Sequence, residues 1–209
     1  MIDRDLMLTL LAMDTYHQGY NVGLLSGPDT GGLGDAQFIN GRELTDLEDD
    51  RAIGIYGRAY TIGSETIVAF RGTDDNSGIS NMGLDAQFGW PTGTGFGTGT
   101  QGARALEFYN DVLATPNVSQ NVTVVGHSLG GGLAGLVSSV NRVPGLVLDH
   151  MAFWTAAQSI HAMAVDTLPP AEELRFPYEA ARVLDAAFGG DPNPLPPTLD
   201  TVRALWVEG

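Results

Sequence analysis

Residues 122–132 read VTVVGHSLGGG, an apolar run that ends abruptly at a serine set among glycines. Val122, Val124 and Val125 are β-branched, the residue type that fills a strand buried on both faces of a parallel sheet. From Leu129 to Val140 the pattern becomes helical, with small residues at Gly132, Ala134 and Gly135. Between the two, Gly126-His127-Ser128-Leu129-Gly130 fits G-x-S-x-G, a sharp strand-to-helix turn that displays the serine hydroxyl. Such a turn is strained and lies close to its neighbours, which is why glycines flank it. The helix N-terminus beneath Ser128 favours a developing negative charge, and the Leu129 N–H is expected to face the forming oxyanion. The bland alternative is a tight turn with an incidental serine. The strand before it and the helix after it favour a nucleophile.

Composition narrows the possibilities. A chain of 209 residues suits one domain with a sizeable core, and 43% apolar residues argue against disorder throughout. The formal charge is −15, and all ten cationic residues are arginine. So acidic a surface repels phosphate backbones and anionic membranes, which argues against nucleic acid as a partner. The absence of cysteine excludes disulfides, thiolate metal sites and cysteine nucleophiles, and leaves the redox compartment open. Met1-Ile2-Asp3-Arg4-Asp5 does not start a signal peptide, and no apolar run has membrane-spanning length. Localisation stays open; secretion would need a route without an N-terminal signal.

Along the chain, residues 3–17 predict an amphipathic helix capped by Asp3. Residues 19–50 are rich in Gly and Asp and read as loop. Within them GGLGDAQF (31–38) resembles a calcium-binding nonapeptide repeat, but its Asp comes one position early and no tandem copy follows, so no metal site is assigned. A hairpin is expected from 52–62 and 66–71 around Gly63-Ser64. Residues 89–101 are Gly/Thr-rich and read as a mobile loop. A helix at 101–114 precedes the Val-rich strand, and a strand at 145–153 follows the helix after Ser128. Residues 171–188 read as helix, 189–197 as loop and 201–207 as a final strand. Strands alternating with helices predict an α/β fold with a mostly parallel sheet.

Upstream of the serine, TIVAFRGTD (66–74) is a strand ending at Arg71-Gly72-Thr73. With VTVVGHSLGG it resembles the class 3 lipases of the α/β-hydrolase fold, over roughly residues 55 to 155. The resemblance implies an ester or lipid substrate, an acyl-serine on Ser128, and an oxyanion hole of Thr73 and the Leu129 N–H. It implies no metal or organic cofactor. For Thr73 the bland reading is a strand cap, and for Arg71 it is a buried structural pairing. The stretch NSGISNMGLDAQFGW (76–90) stands where the family places a lid, within a segment 74–101 whose Met82, Leu84 or Phe88 would face the pocket. The family's Trp there is Met82 in this chain.

In that family the acid and then the histidine follow the serine along the chain. GGDPNPLPP (189–197) is similar to the family's acid loop, so Asp191 is the matching residue. The residues before it look helical, whereas the acid should follow a strand, so Asp185, Glu208 and a carboxylate beyond Gly209 stay open. Four histidines occur: His17, His127, His150 and His161, and none follows Asp191. The expectation is a single domain over 1–209 that lacks its C-terminal part. Its catalytic histidine would come from a further segment or a second chain. A binding module that keeps the fold without its base is the rival reading. A serine peptidase or acyltransferase on the same fold is a third.

Overall fold

Successive residues of the Val-rich strand enter different apolar clusters, and this alternation builds a layered molecule. The computed structural model describes residues 3–17, 33–44, 53–73, 89, 100–165, 177–191 and 193–206. In chain order the elements are α1 (Arg4–His17), β1 (Ala36–Glu43), β2 (Gly57–Ile62), β3 (Glu65–Phe70), α2 (Thr100–Leu113) and β4 (Val122–His127). They continue with α3 (Leu129–Asn141), β5 (Gly145–Leu148), α4 (Trp154–Ala164), α5 (Pro177–Phe188) and β6 (Val202–Leu205). The strands lie side by side in chain order from β1 to β6. β1, β2 and β3 pair antiparallel, whereas β3, β4, β5 and β6 pair parallel. The fold is therefore α/β on a mixed sheet, parallel in the half that carries Ser128.

Val68, Val124 and Val147 face one layer with Leu106 of α2, Leu133 of α3, Ile160 of α4 and Val183 of α5. Ile67, Ala69, Val125 and Leu146 face the other, against Leu8, Leu11 and Ala12 of α1. Val124 and Val125 are fully buried, and each such side chain contributes about 1.5–3 kcal/mol. Phe70 meets Phe108 edge-on at 6.2 Å, fixing the end of β3 against α2. The predicted cap of α1 is present: Asp3 Oδ1 accepts the N–H groups of Asp5 and Leu6 at 3.0 and 3.3 Å.

The predicted hairpin forms as β2 and β3, turning at Gly63, whose φ of +58° suits a two-residue connection. β1 was not foreseen. It occupies part of the stretch read as loop and pairs with β2, its register shifting between Phe38 and Glu43. The repeat-like segment instead turns at Gly34 (φ +57°), where Leu33 bridges Ala36 and leads into β1. The strand expected over 145–153 stops at Leu148, because Asp149 takes a φ of +39° and turns the chain toward α4. The helix expected from 171 is described from Pro177 onward. Of the expected lid, residues 74–88 and 90–99 lie outside the described residues, and with them Met82, Leu84 and Phe88.

Candidate active site

Registers Phe70↔Gly126, His127↔Leu148 and Leu148↔Leu205 align the carboxyl ends of β3, β4, β5 and β6 along one edge of the sheet. Arg71-Gly72-Thr73, Ser128, Asp149 and Trp206 therefore leave the sheet next to one another. The Ser128 N–H donates to Leu148 O, and the Asp149 N–H donates to Leu205 O, both extending the ladders by one residue. In parallel α/β sheets this edge, beyond the strands' carboxyl ends, is where ligands bind.

Ser128 has φ +55° and ψ −124°, a conformation side-chain-bearing residues rarely adopt. It is held there from three sides. Its N–H bonds Leu148 O, and its carbonyl accepts the N–H groups of Gly132 (3.1 Å) and Met151 (3.0 Å). Its side chain makes no capping bond to α3, so the hydroxyl is not consumed by its own helix. The flanking glycines are sterically required. A Cβ on Gly126 would stand 2.1 Å from Gly130 O, and one on Gly130 would stand 2.3 Å from Phe70 O. The second contact presses the start of α3 onto the end of β3. Leu129 is buried, and a Cβ placed on Gly72 would stand 3.1 Å from Ser128 Cβ. Thr73, half-buried, is the next residue.

Gly89 is buried against the same place: a Cβ there would meet Leu129 Cδ2 at 2.8 Å and Gln101 Oε1 at 2.6 Å. Gly89, the first residue of the Gly/Thr-rich stretch, thus lies against the residue after the serine. Arg71 is buried, with its guanidinium 5.0 Å over the Tyr56 ring and its N–H on Tyr56 O, a structural position.

Among the described side chains, three imidazoles each place one ring nitrogen on a partner other than Ser128. His127 Nδ1 lies 2.8 Å from the Tyr16 hydroxyl, His150 Nδ1 lies 3.0 Å from Met151 O, and His161 Nε2 lies 3.1 Å from Pro194 O. His150 is also flanked by the rings of Phe153 and Trp206.

The structure does not bring Asp191 to Ser128. Asp191 is exposed; its N–H bonds Phe188 O, and its Oδ1 accepts the Asn193 N–H. With Asp185 it lines a hollow that also includes Asn110 and Val140. Val140 lies twelve positions past Ser128 on the same helix, about 18 Å away at 1.5 Å per residue. The segment after Asp191 stays at that far end, where Arg142 donates to Pro196 O and the Thr198 N–H donates to Ser139 O. The physical reason is topological. Asp191 precedes β6, so it belongs to the amino edge of the parallel strands, opposite Ser128. Among the described residues the carboxylate that closes a strand at the serine's edge is Asp149. Sequence reading passed it over because it was placed inside a longer strand. Glu208, two residues after Trp206, lies outside the described residues.

No family model matches the chain, and no curated protein matches it. Among solved structures, the crystal structure of Lip2 lipase from Yarrowia lipolytica is similar, with 14% identity and a TM-score of 0.43. The match covers 98% of this chain and 72% of that one. Similarity at that level carries no chemistry over to this chain.

Proposed function

We propose that this chain is a serine hydrolase of carboxylic esters, a lipase or esterase built on the α/β-hydrolase plan of the class 3 type. The observation that carries the reading is Ser128 at φ +55° in a strand-to-helix turn whose glycines have no room for a side chain. In the proposed reaction Ser128 Oγ attacks the ester carbonyl while a base takes its proton. The carbonyl oxygen, now anionic, is held by the Leu129 N–H and by Thr73. Collapse expels the alcohol, which the base protonates, and water then releases the acid from the acyl-serine. Each oxyanion donor is worth about 10²–10³-fold in rate.

The base in this reading is a histidine other than His127, His150 and His161. The acid belongs at the carboxyl edge, where Asp149 follows β5; Glu208 remains the alternative from the sequence. Segment 74–101 acts as a lid, consistent with Gly89 lying on Leu129. In the full-length protein, Ser128→Ala is expected to lower turnover of a p-nitrophenyl ester by at least about 10³-fold while leaving the protein folded. Turnover at the wild-type rate overturns the mechanism. The engagement of His127, His150 and His161 with other partners favours one second reading, a binding module of this fold without a base. A full-length protein that binds ester analogues without hydrolysing esters is its signature.

A further inference from the structure

We propose that the Tyr16 hydroxyl is a positioning group for the oxyanion arm, an inference that rests on the ester-hydrolase reading above. Tyr16 lies in the last turn of α1, far in sequence from every other residue of the site. Its hydroxyl sits between the two chain segments that must be held in register for catalysis. The Gly72 N–H donates to it at 3.1 Å, and His127 Nδ1 and His127 O lie 2.8 and 3.3 Å from it. A tyrosine hydroxyl has one hydrogen to give. The Gly72 N–H donates to Tyr16 Oη, and the hydroxyl hydrogen goes to His127 Nδ1 in one imidazole tautomer and to His127 O in the other, so in both the hydroxyl bridges Gly72 and His127. The ring of Tyr16 meets the imidazole edge-on at 5.6 Å, which holds the pair in this orientation.

Docking of α1 does not need that hydroxyl. Leu8, Leu11 and Ala12 are fully buried against the sheet and supply the apolar contact. What the hydroxyl adds is a fixed position for Gly72. There is no slack at that residue: a Cβ on Gly72 would stand 2.2 Å from Tyr16 Oη and 2.6 Å from His127 O. Gly72 immediately precedes Thr73, so the bond that holds Gly72 sets where the Thr73 donor falls relative to Ser128. On the other side, His127 immediately precedes Ser128. One hydroxyl thus ties the residue before the nucleophile to the residue before the proposed oxyanion donor.

The test is Tyr16→Phe in the full-length protein, read by kcat, KM for a p-nitrophenyl ester, the rate of Ser128 phosphonylation by a fluorophosphonate, and thermal unfolding. A misplacement of the order of 1 Å costs up to about 100-fold in rate, so kcat and the labelling rate are expected to fall together by about 10- to 100-fold. KM should stay within about twofold, because ground-state binding does not use the oxyanion donor. Unchanged kcat and labelling rate in the variant, with the wild type labelled at Ser128, overturn the role of Tyr16 and leave the hydrolase reading standing. A loss of activity that only matches a loss of folded protein also overturns it. A wild type that neither hydrolyses esters nor is labelled at Ser128 overturns the hydrolase reading itself.

Discussion

Ser128 occupies a conformation that costs of the order of 1–3 kcal/mol, and three backbone hydrogen bonds over-determine it. A second residue-scale feature lies under α1. Asp14 is fully buried, accepts the Tyr60 hydroxyl at 2.7 Å and pairs with Arg58 at 3.4 Å. Burial, reinforced by the neighbouring Asp14 carboxylate, pushes the Tyr60 phenol well above its ordinary value of 10.0. The folded state therefore favours the neutral phenol. That contribution is fully present below about pH 10 and is lost as pH rises beyond it, because only the unfolded chain ionises freely. Tyr60→Phe should remove this alkaline loss. It should also destabilise the protein at pH 7 by about 1.5–3 kcal/mol, the usual worth of a hydrogen bond to a charged group, as read by urea unfolding. At this scale the sequence disclosed Ser128 and its glycines, because a local motif fixes them. It did not disclose Tyr16 or Asp14, whose partners stand 44 to 111 positions away and meet them only when α1 docks.

At the scale of elements, the elbow joins β4 to α3 with no spare volume, and Gly126→Ala measures how little. The added methyl would meet Gly130 O at 2.1 Å, which neither backbone can yield without moving the turn. Loss of at least about 1–3 kcal/mol is expected by chemical denaturation, together with loss of ester hydrolysis. A variant of wild-type stability would show that the turn is not packed this way. The hairpin, β4, α3 and α2 were legible because each is long and strongly patterned, or bounded by glycine. β1 was hidden because AQFINGRE carries little apolar alternation and gains its place by pairing with β2. β5 was over-extended because GLVLDHMAF stays apolar past the point where Asp149 breaks the strand.

For the molecule as a whole, the direction of the parallel strands decides which residues meet. Chain order alone allowed Asp191 to serve Ser128; the sheet puts it at the opposite end of α3, among residues that cap the amino edge. Asp191→Asn is therefore expected to leave kcat/KM within about twofold of wild type, the usual outcome for a surface change away from the site. Asp149→Asn tests the described carboxylate at the serine's edge and Glu208→Gln the alternative that the sequence left open, and one of them should cost several orders of magnitude in kcat. A large loss in Asp191→Asn instead would mean that the two ends of α3 work as one site. The hairpin, the Val-rich strand and the turn at Ser128 could be read ahead of the structure; the position of Asp191 could not, because an edge is a property of the assembled sheet. The most direct measurement is fluorophosphonate labelling of the full-length protein followed by peptide mass spectrometry. A single adduct on Ser128, absent after Ser128→Ala, is the expected result. An unmodified Ser128 under conditions that label a known serine hydrolase would contradict an activated nucleophile at this turn.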